Sequence, residues 1–104
     1  MSDRWQELSV FVRVAEGGSF SRAARELRMS QPSVSRIIRE LEARLGVKLL
    51  LRTTRHLSLT NAGAIFLERA KPVIDDWEDA EDAARGADSL RGVIRIAMPG
   101  MNLS

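Results

Sequence analysis

Gln31, Pro32, Ser35 and Arg36 lie within one six-residue stretch and share one kind of chemistry. The arginine fork can bond guanine bidentately, glutamine can do the same for adenine, and a serine hydroxyl suits a base or a phosphate. Such groups are useful only if one rigid element presents them together. The sequence supplies a helix. Ser30 can cap it by accepting a backbone N–H, and Pro32 falls in the first turn, where its missing N–H removes no bond. Val34, Ile37, Ile38, Leu41 and Leu45 then recur as a single apolar stripe. The opposite face carries Pro32, Arg36 and Arg39, with Gln31 and Ser35 on its N-terminal flank. A face so poor in carboxylates suits the major groove of DNA. The bland alternative is an amphipathic helix with a solvated cationic face. Arg39 fits solvation as well as a phosphate contact, and Pro32 serves as a helix-starting device or a thymine-methyl contact.

The flanking residues predict the elements that hold this helix. Trp5, Leu8, Phe11, Val12 and Ala15 keep helical spacing over 4–16, and Gly17-Gly18 stops that helix. Ser19 caps a second helix over 20–27, where Ala23 and Ala24 allow a neighbour to approach closely. The turn Arg28-Met29-Ser30 leads into the third helix, which Gly46 ends. Helix, short turn, helix at this spacing is a helix-turn-helix. Val47–Arg52 and His56–Leu59, joined by Thr53-Thr54-Arg55, predict a small hairpin or wing, without the Gly or Asn of a tight two-residue loop. Arg52 and Arg55 at its tip would suit phosphates or a minor groove. His56 has no carboxylate or nucleophile arranged around it, so a surface or strand role is expected.

Thr60 caps a long helix, expected over 61–86 and spanning about 39 Å at about 1.5 Å per residue. Its apolar residues are Ile65, Phe66, Leu67, Ala70, Val73, Ile74, Trp77, Ala80 and Ala84, with Pro72 expected to kink it or remove one bond. So small a domain cannot cover such a helix, so the stripe predicts a partner, most simply a second copy. Trp5 and Trp77 fall on apolar stripes and are expected to pack rather than stack on bases. The run Asp75–Asp82 keeps the long helix soluble and away from DNA. Gly92–Met98 alternates as a strand and ends at Pro99-Gly100, with nothing in the chain left to pair with it. It has the look of the first strand of a further domain, which favours a fragment.

Composition narrows the function. At 44% hydrophobic and 29% charged, the 104 residues fit one small globular domain with an appended helix. The absence of cysteine excludes disulfides and thiolate metal sites. No apolar run approaches a membrane span, and the N-terminus lacks a signal-peptide layout, which predicts a cytosolic protein. Residues 1–60 hold 11 Lys+Arg against 6 Asp+Glu, and residues 61–104 hold 5 against 8, so the net +2 divides into +5 and −3. That asymmetry puts a polyanion-facing surface in the first half alone. No Gly-rich phosphate loop, metal-ligand cluster or nucleophile elbow points to an enzyme, and the serines sit at cap positions.

The ordered motifs resemble the N-terminal domain of LysR-type transcriptional regulators. They are Phe11–Ala15, Gly18–Ala24, Leu27, Ser30–Arg36 with Ile38, Leu41-Glu42, Leu45–Val47, Leu49-Leu50, Arg52, and Leu59-Thr60 with Ala62-Gly63. The match runs over 4–70 and more loosely to about 90. Leu50 stands where the family usually has Phe, a tolerable core exchange. The resemblance implies a mainly α fold: a winged helix-turn-helix of three helices plus a small β-hairpin wing, followed by a long dimerisation linker helix. It implies base contacts from Gln31, Pro32, Ser35 and Arg36. It implies backbone or minor-groove contacts from Ser33, Arg52, Thr53 and Arg55, with Ser21 and Arg22 as further backbone contacts. Antiparallel pairing of the linker helix would engage Phe66, Leu67, Ala70, Val73, Ile74, Trp77, Ala80 and Ala84.

The expected organisation is therefore a DNA-binding domain over 1–60, a linker helix over 61–90, and the start of an effector-binding domain over 91–104. The expected activity is sequence-specific binding of double-stranded DNA, as a homodimer on an interrupted inverted repeat, in the cytoplasm at the nucleoid. No cofactor and no membrane partner are implied. A small-molecule effector, and any tetramer, would belong to the domain that continues beyond this chain. The competing reading is an interaction module that works through the long helix, but it gives no reason for +5 to gather around Gln31–Arg36 and the wing.

Overall fold

A computed structural model describes residues 3–53 and 56–89, the last two by backbone alone. Three capped helices build the first part. Helix α1 spans Arg4–Gly17 and starts at Asp3, whose carboxylate accepts the Gln6 N–H at 2.6 Å. Gly18 ends it in the left-handed conformation, φ 68°, which glycine adopts without a Cβ clash. Helix α2, Phe20–Leu27, is capped by Ser19 Oγ, which accepts the Arg22 N–H at 3.1 Å. Its C-cap is Arg28 at φ 58°, a non-glycine residue in left-handed geometry. Helix α3, Gln31–Leu45, is capped by Ser30 and ended by Gly46.

These helices close on one core. Phe11, Val14, Val34, Ile37, Leu41 and Leu49 are essentially fully buried, and buried Ala23 and Ala24 let α2 sit close to its neighbours. Among the described residues the carboxylates of Glu7 and Glu42 are buried with them, and each is hydrogen-bonded. Glu7 Oε1 accepts Arg44 Nε at 3.1 Å and Nη2 at 2.6 Å, tying α1 to the end of α3. Glu42 Oε2 accepts the Leu49 and Leu50 N–H groups at 2.8 and 3.2 Å, and Lys48 Nζ stands 3.5 Å from Oε1. A carboxylate holding two amides is a strong anchor, because buried N–H groups are costly to leave unpaired. Glu42 thus fastens the chain entering the wing to α3.

The wing is shorter than the sequence suggests. Strand β1, Leu50–Arg52, pairs antiparallel with β2, Leu57–Leu59, in the register Leu50↔Leu59, Leu51↔Ser58 and Arg52↔Leu57. Strand pairing begins only at Leu50, because the Leu49 amide is taken by Glu42. At the far end Thr53 N–H donates to the His56 carbonyl at 2.8 Å, and Thr53 Oγ1 accepts the His56 N–H at 2.9 Å. A threonine hydroxyl therefore does the closing that the missing Gly or Asn would otherwise favour.

Helix α4 spans Asn61–Ser89, three residues longer than expected, and continues through Pro72. Its start is locked to the wing. Thr60 Oγ1 accepts the Gly63 N–H at 2.9 Å and donates to the Lys48 carbonyl at 2.7 Å, while Thr60 N–H donates to Leu49 O at 3.0 Å. Beyond it the Phe66 ring meets Phe11, centroids 5.2 Å apart, and Ala70 and Ile74 are buried. The first compact unit accordingly runs to Ile74, past the expected boundary at 60, because α4 supplies part of its core. The second unit begins at Asp75. Within it Trp77 is 52% exposed and Arg85 Nη2 pairs with Asp82 Oδ1 at 2.6 Å. Trp5 is also partly exposed. The strand expected over Gly92–Met98 lies outside the described residues.

Candidate nucleic-acid interface

Three elements converge at the N-terminal end of α3. Gln31, Pro32 and Arg36 are exposed there, and Ser35 is half-buried beside them. The serine-capped start of α2 and the wing lie alongside, and a cleft of about 260 Å³ is lined by Ser19, Ser21, Gln31, Arg52, Thr53 and His56, among others. Two helix N-termini bring unpaired N–H groups and positive dipole ends to one place, which favours anions. Among the described residues that line the cleft there is no carboxylate.

The four residues expected to contact bases are thus brought together on one exposed end. Arg36 is not idle in this state: its Nη1 lies 3.2 Å from Glu40 Oε2, one turn on. Arg39 is exposed, with no ion pair among the described residues. Ser33 also works in the cap, its Oγ accepting from Ser30 Oγ at 2.9 Å and its N–H donating to the same hydroxyl at 3.2 Å. Ser21 Oγ is 3.0 Å from Ser19 Oγ, and Arg22 Nε is 3.3 Å from Glu26 Oε2.

Arg52 ends β1 beside the turn of the wing, as expected, and its guanidinium lies 4.3 Å from the centre of the Phe20 ring. Its Nη1 reaches to 3.5 Å from Ser35 Oγ. A guanidinium over an aromatic face is held by cation–π attraction, so this arginine spans α2, α3 and the wing. Thr53 is in the turn itself, and Arg55 lies outside the described residues. Phe20, Glu40, Glu42 and His56 were not foreseen here. The i to i+4 spacing of Arg36 and Glu40 was the one available signal of their pairing.

The expected dimer stripe is divided. Ala70 and Ile74 are buried within the chain itself, and Phe66 and Leu67 pack against the same core, which removes Ala70 and Ile74 from any outer surface. Val73, Trp77, Ala80 and Ala84 remain exposed, as does Ile65. Helical spacing alone could not separate these two sets, since it reports that a face is apolar and not what covers it.

Comparison with known proteins decides the ancestry. Residues 5–64 match the family of bacterial regulatory helix-turn-helix proteins, lysR family. The chain belongs to the LysR family. Among curated LysR-family relatives, the HTH-type transcriptional regulator CrgA of Neisseria meningitidis (serogroup C, strain 8013) is 47% identical over 102 residues, covering 95% of this chain and 34% of CrgA. The chain thus spans about a third of that relative's length. Among solved structures, a CbnR DBD–DNA complex shares 40% identity and a TM-score of 0.72, covering 83% of this chain and 99% of that one. A BenM DBD/catB site 1 DNA complex shares 32% identity with a TM-score of 0.76, covering 84% and 97%. The LysR-type winged helix-turn-helix expected from the motifs is therefore the fold observed.

Proposed function

We propose that this chain is the sequence-specific, double-stranded-DNA-binding part of a bacterial LysR-type transcriptional regulator, acting as a homodimer on an interrupted inverted repeat. One observation carries the reading. Gln31, Pro32, Ser35 and Arg36 stand on the exposed end of α3, beside two more elements that supply cations and helix N-termini. In this account α3 enters the major groove by its first turns. Arg36 reads guanine, Gln31 adenine, Ser35 a polar edge, and Pro32 packs on a thymine methyl group. Ser21, Arg22, Ser33, Arg39, Arg52, Thr53 and Arg55 fix the register on phosphates or in the minor groove and supply the salt-dependent affinity.

The dimer would form through the exposed part of the long helix, with Val73, Trp77, Ala80 and Ala84 as its contacts, and Phe66 and Leu67 at its margin. Two recognition helices would then address successive major grooves roughly 34–36 Å apart. The chain performs no catalysis and needs no cofactor in this role. It works in the cytoplasm, at the nucleoid, and its small-molecule effector binds to the remainder of the regulator, where tetramers would also be built. Selection of duplexes from a random pool tests the reading. Enrichment of an interrupted inverted repeat is the expected result, and a pool that stays random after several rounds would overturn it.

A further inference from the structure

We infer that His56 is a phosphate-binding residue of the interface proposed above and couples DNA affinity to pH; the inference rests on that reading. His56 is exposed in the turn of the wing. It lines the cleft of about 260 Å³ with Ser19 and Ser21 at the start of α2, Gln31 of α3, and Arg52 and Thr53 of the wing. The turn holds its backbone from both sides: the His56 N–H donates to Thr53 Oγ1 at 2.9 Å, and its carbonyl accepts the Thr53 N–H at 2.8 Å. A main chain fixed in this way leaves the imidazole to meet a ligand. Among the described residues lining the cleft, α2 and α3 contribute only uncharged groups, and Arg52 is the one other ionisable group. Its guanidinium is engaged on the Phe20 ring, 4.3 Å away, with Nη1 3.5 Å from Ser35 Oγ. A cleft without a carboxylate offers an imidazolium no counter-charge from the protein. A DNA phosphate supplies it.

Histidine is the side chain that ordinarily changes charge between about pH 5 and 8, and an anion beside it favours the charged form. When a phosphate oxygen enters the cleft, the imidazole takes up one proton from solvent and donates a charge-assisted N–H bond to that oxygen. The complex then holds more protons than its separated parts, so affinity rises as pH falls and is lost as pH rises. The phosphodiester keeps its charge throughout this range. Between about pH 6 and 7.5 carboxylates stay ionised, and Lys and Arg stay protonated. The sequence has one histidine and no cysteine, so a proton-linked step in that window reports on His56. Phosphates are alike on every sequence, so the step belongs to affinity and not to base choice.

The experiment titrates wild type, His56→Gln and His56→Arg by fluorescence anisotropy into two duplexes: one enriched by the wild-type chain and one of the same length with scrambled bases. Each titration is run at about pH 6 and about pH 7.5 at fixed ionic strength. Wild type should bind both duplexes about three- to fivefold more tightly per half-site at the lower pH. Its slope of log affinity against log salt should steepen there by up to about 0.9 per half-site, the value for one more neutralised phosphate. His56→Gln keeps a donor but cannot gain charge, and should lose the pH step. His56→Arg is charged throughout, and should bind at the higher pH as tightly as wild type does at the lower. A wild type without the step, or a His56→Gln that retains it, would overturn the inference while leaving the DNA-binding reading intact. A step confined to the enriched duplex would also overturn it, by moving His56 from phosphate to base. A wild-type chain that binds neither duplex at either pH would overturn that reading, and this inference with it.

Discussion

Replacing Gly63 by alanine tests the most demanding contact in the fold. Gly63 is the third residue of α4, and exchange of a helical glycine for alanine ordinarily stabilises by about 0.5–1 kcal/mol at most. Here a Cβ would fall onto the Leu49 carbonyl oxygen and come within 2.9 Å of its carbon, and 3.2 Å from a methyl of Leu59. The obstacle is backbone in a buried residue, so it cannot swing aside. Relief requires α4 to move from the wing by about 1 Å, against the Thr60 bonds to Lys48, Leu49 and Gly63. Overpacking of this kind costs typically about 1–3 kcal/mol, and the rigid obstacle places Gly63→Ala near the top of that range. After the helix-propensity gain, a net loss of about 2 kcal/mol remains, a fall in Tm of roughly 8–16 °C for a domain this size. Gly86→Ala, on the same helix with nothing within 4 Å, serves as the control and should be neutral or slightly stabilising. Thermal melts followed by circular dichroism measure both. A Gly63→Ala protein as stable as Gly86→Ala would refute the packing argument.

Other substitutions probe separate links. Glu42→Ala orphans the Leu49 and Leu50 amides and should cost about 2–4 kcal/mol, with hydrogen exchange at those two amides accelerating before the rest of the core; unchanged protection there would remove Glu42 from its anchoring role. Trp77→Glu should turn a dimer into a monomer by light scattering without altering the helix-turn-helix melt, and a variant that stays dimeric would move the interface elsewhere. Arg22→Ala should weaken enriched and scrambled duplexes alike and lower the salt slope by about 1, as a phosphate contact does. A loss confined to the enriched duplex would reassign it to base reading.

Features that depend on neighbours in sequence were legible. Ser19, Ser30 and Thr60 cap helices where expected, Gly18 and Gly46 end them, and Ala23-Ala24 lies against its neighbours, because each obeys rules set within one turn. Features that depend on a distant partner were not. Nothing near Glu42 announces that its donors are amides seven and eight residues on, and Glu7 finds Arg44 37 residues away. Arg28 in left-handed geometry was hidden, since arginine carries no signal for it and the surrounding helix packing imposes it. The start of β1 could not be fixed from Val47–Leu51, because the bond from the Leu49 amide to Glu42 is not visible in that run. The division of the α4 stripe between core and surface was beyond periodicity, which gives the angle of a face but not its occupant.

The central claim is that the exposed end of α3 reads bases while the surrounding cations read charge. The measurement that addresses it most directly is titration of wild type and Arg36→Ala into the enriched and scrambled duplexes across about 50–200 mM salt. The account predicts steep salt dependence on both duplexes for both proteins, with Arg36→Ala losing about 1–3 kcal/mol on the enriched duplex and little on the scrambled one. Equal losses on the two duplexes would contradict it, and would make α3 one more cationic surface.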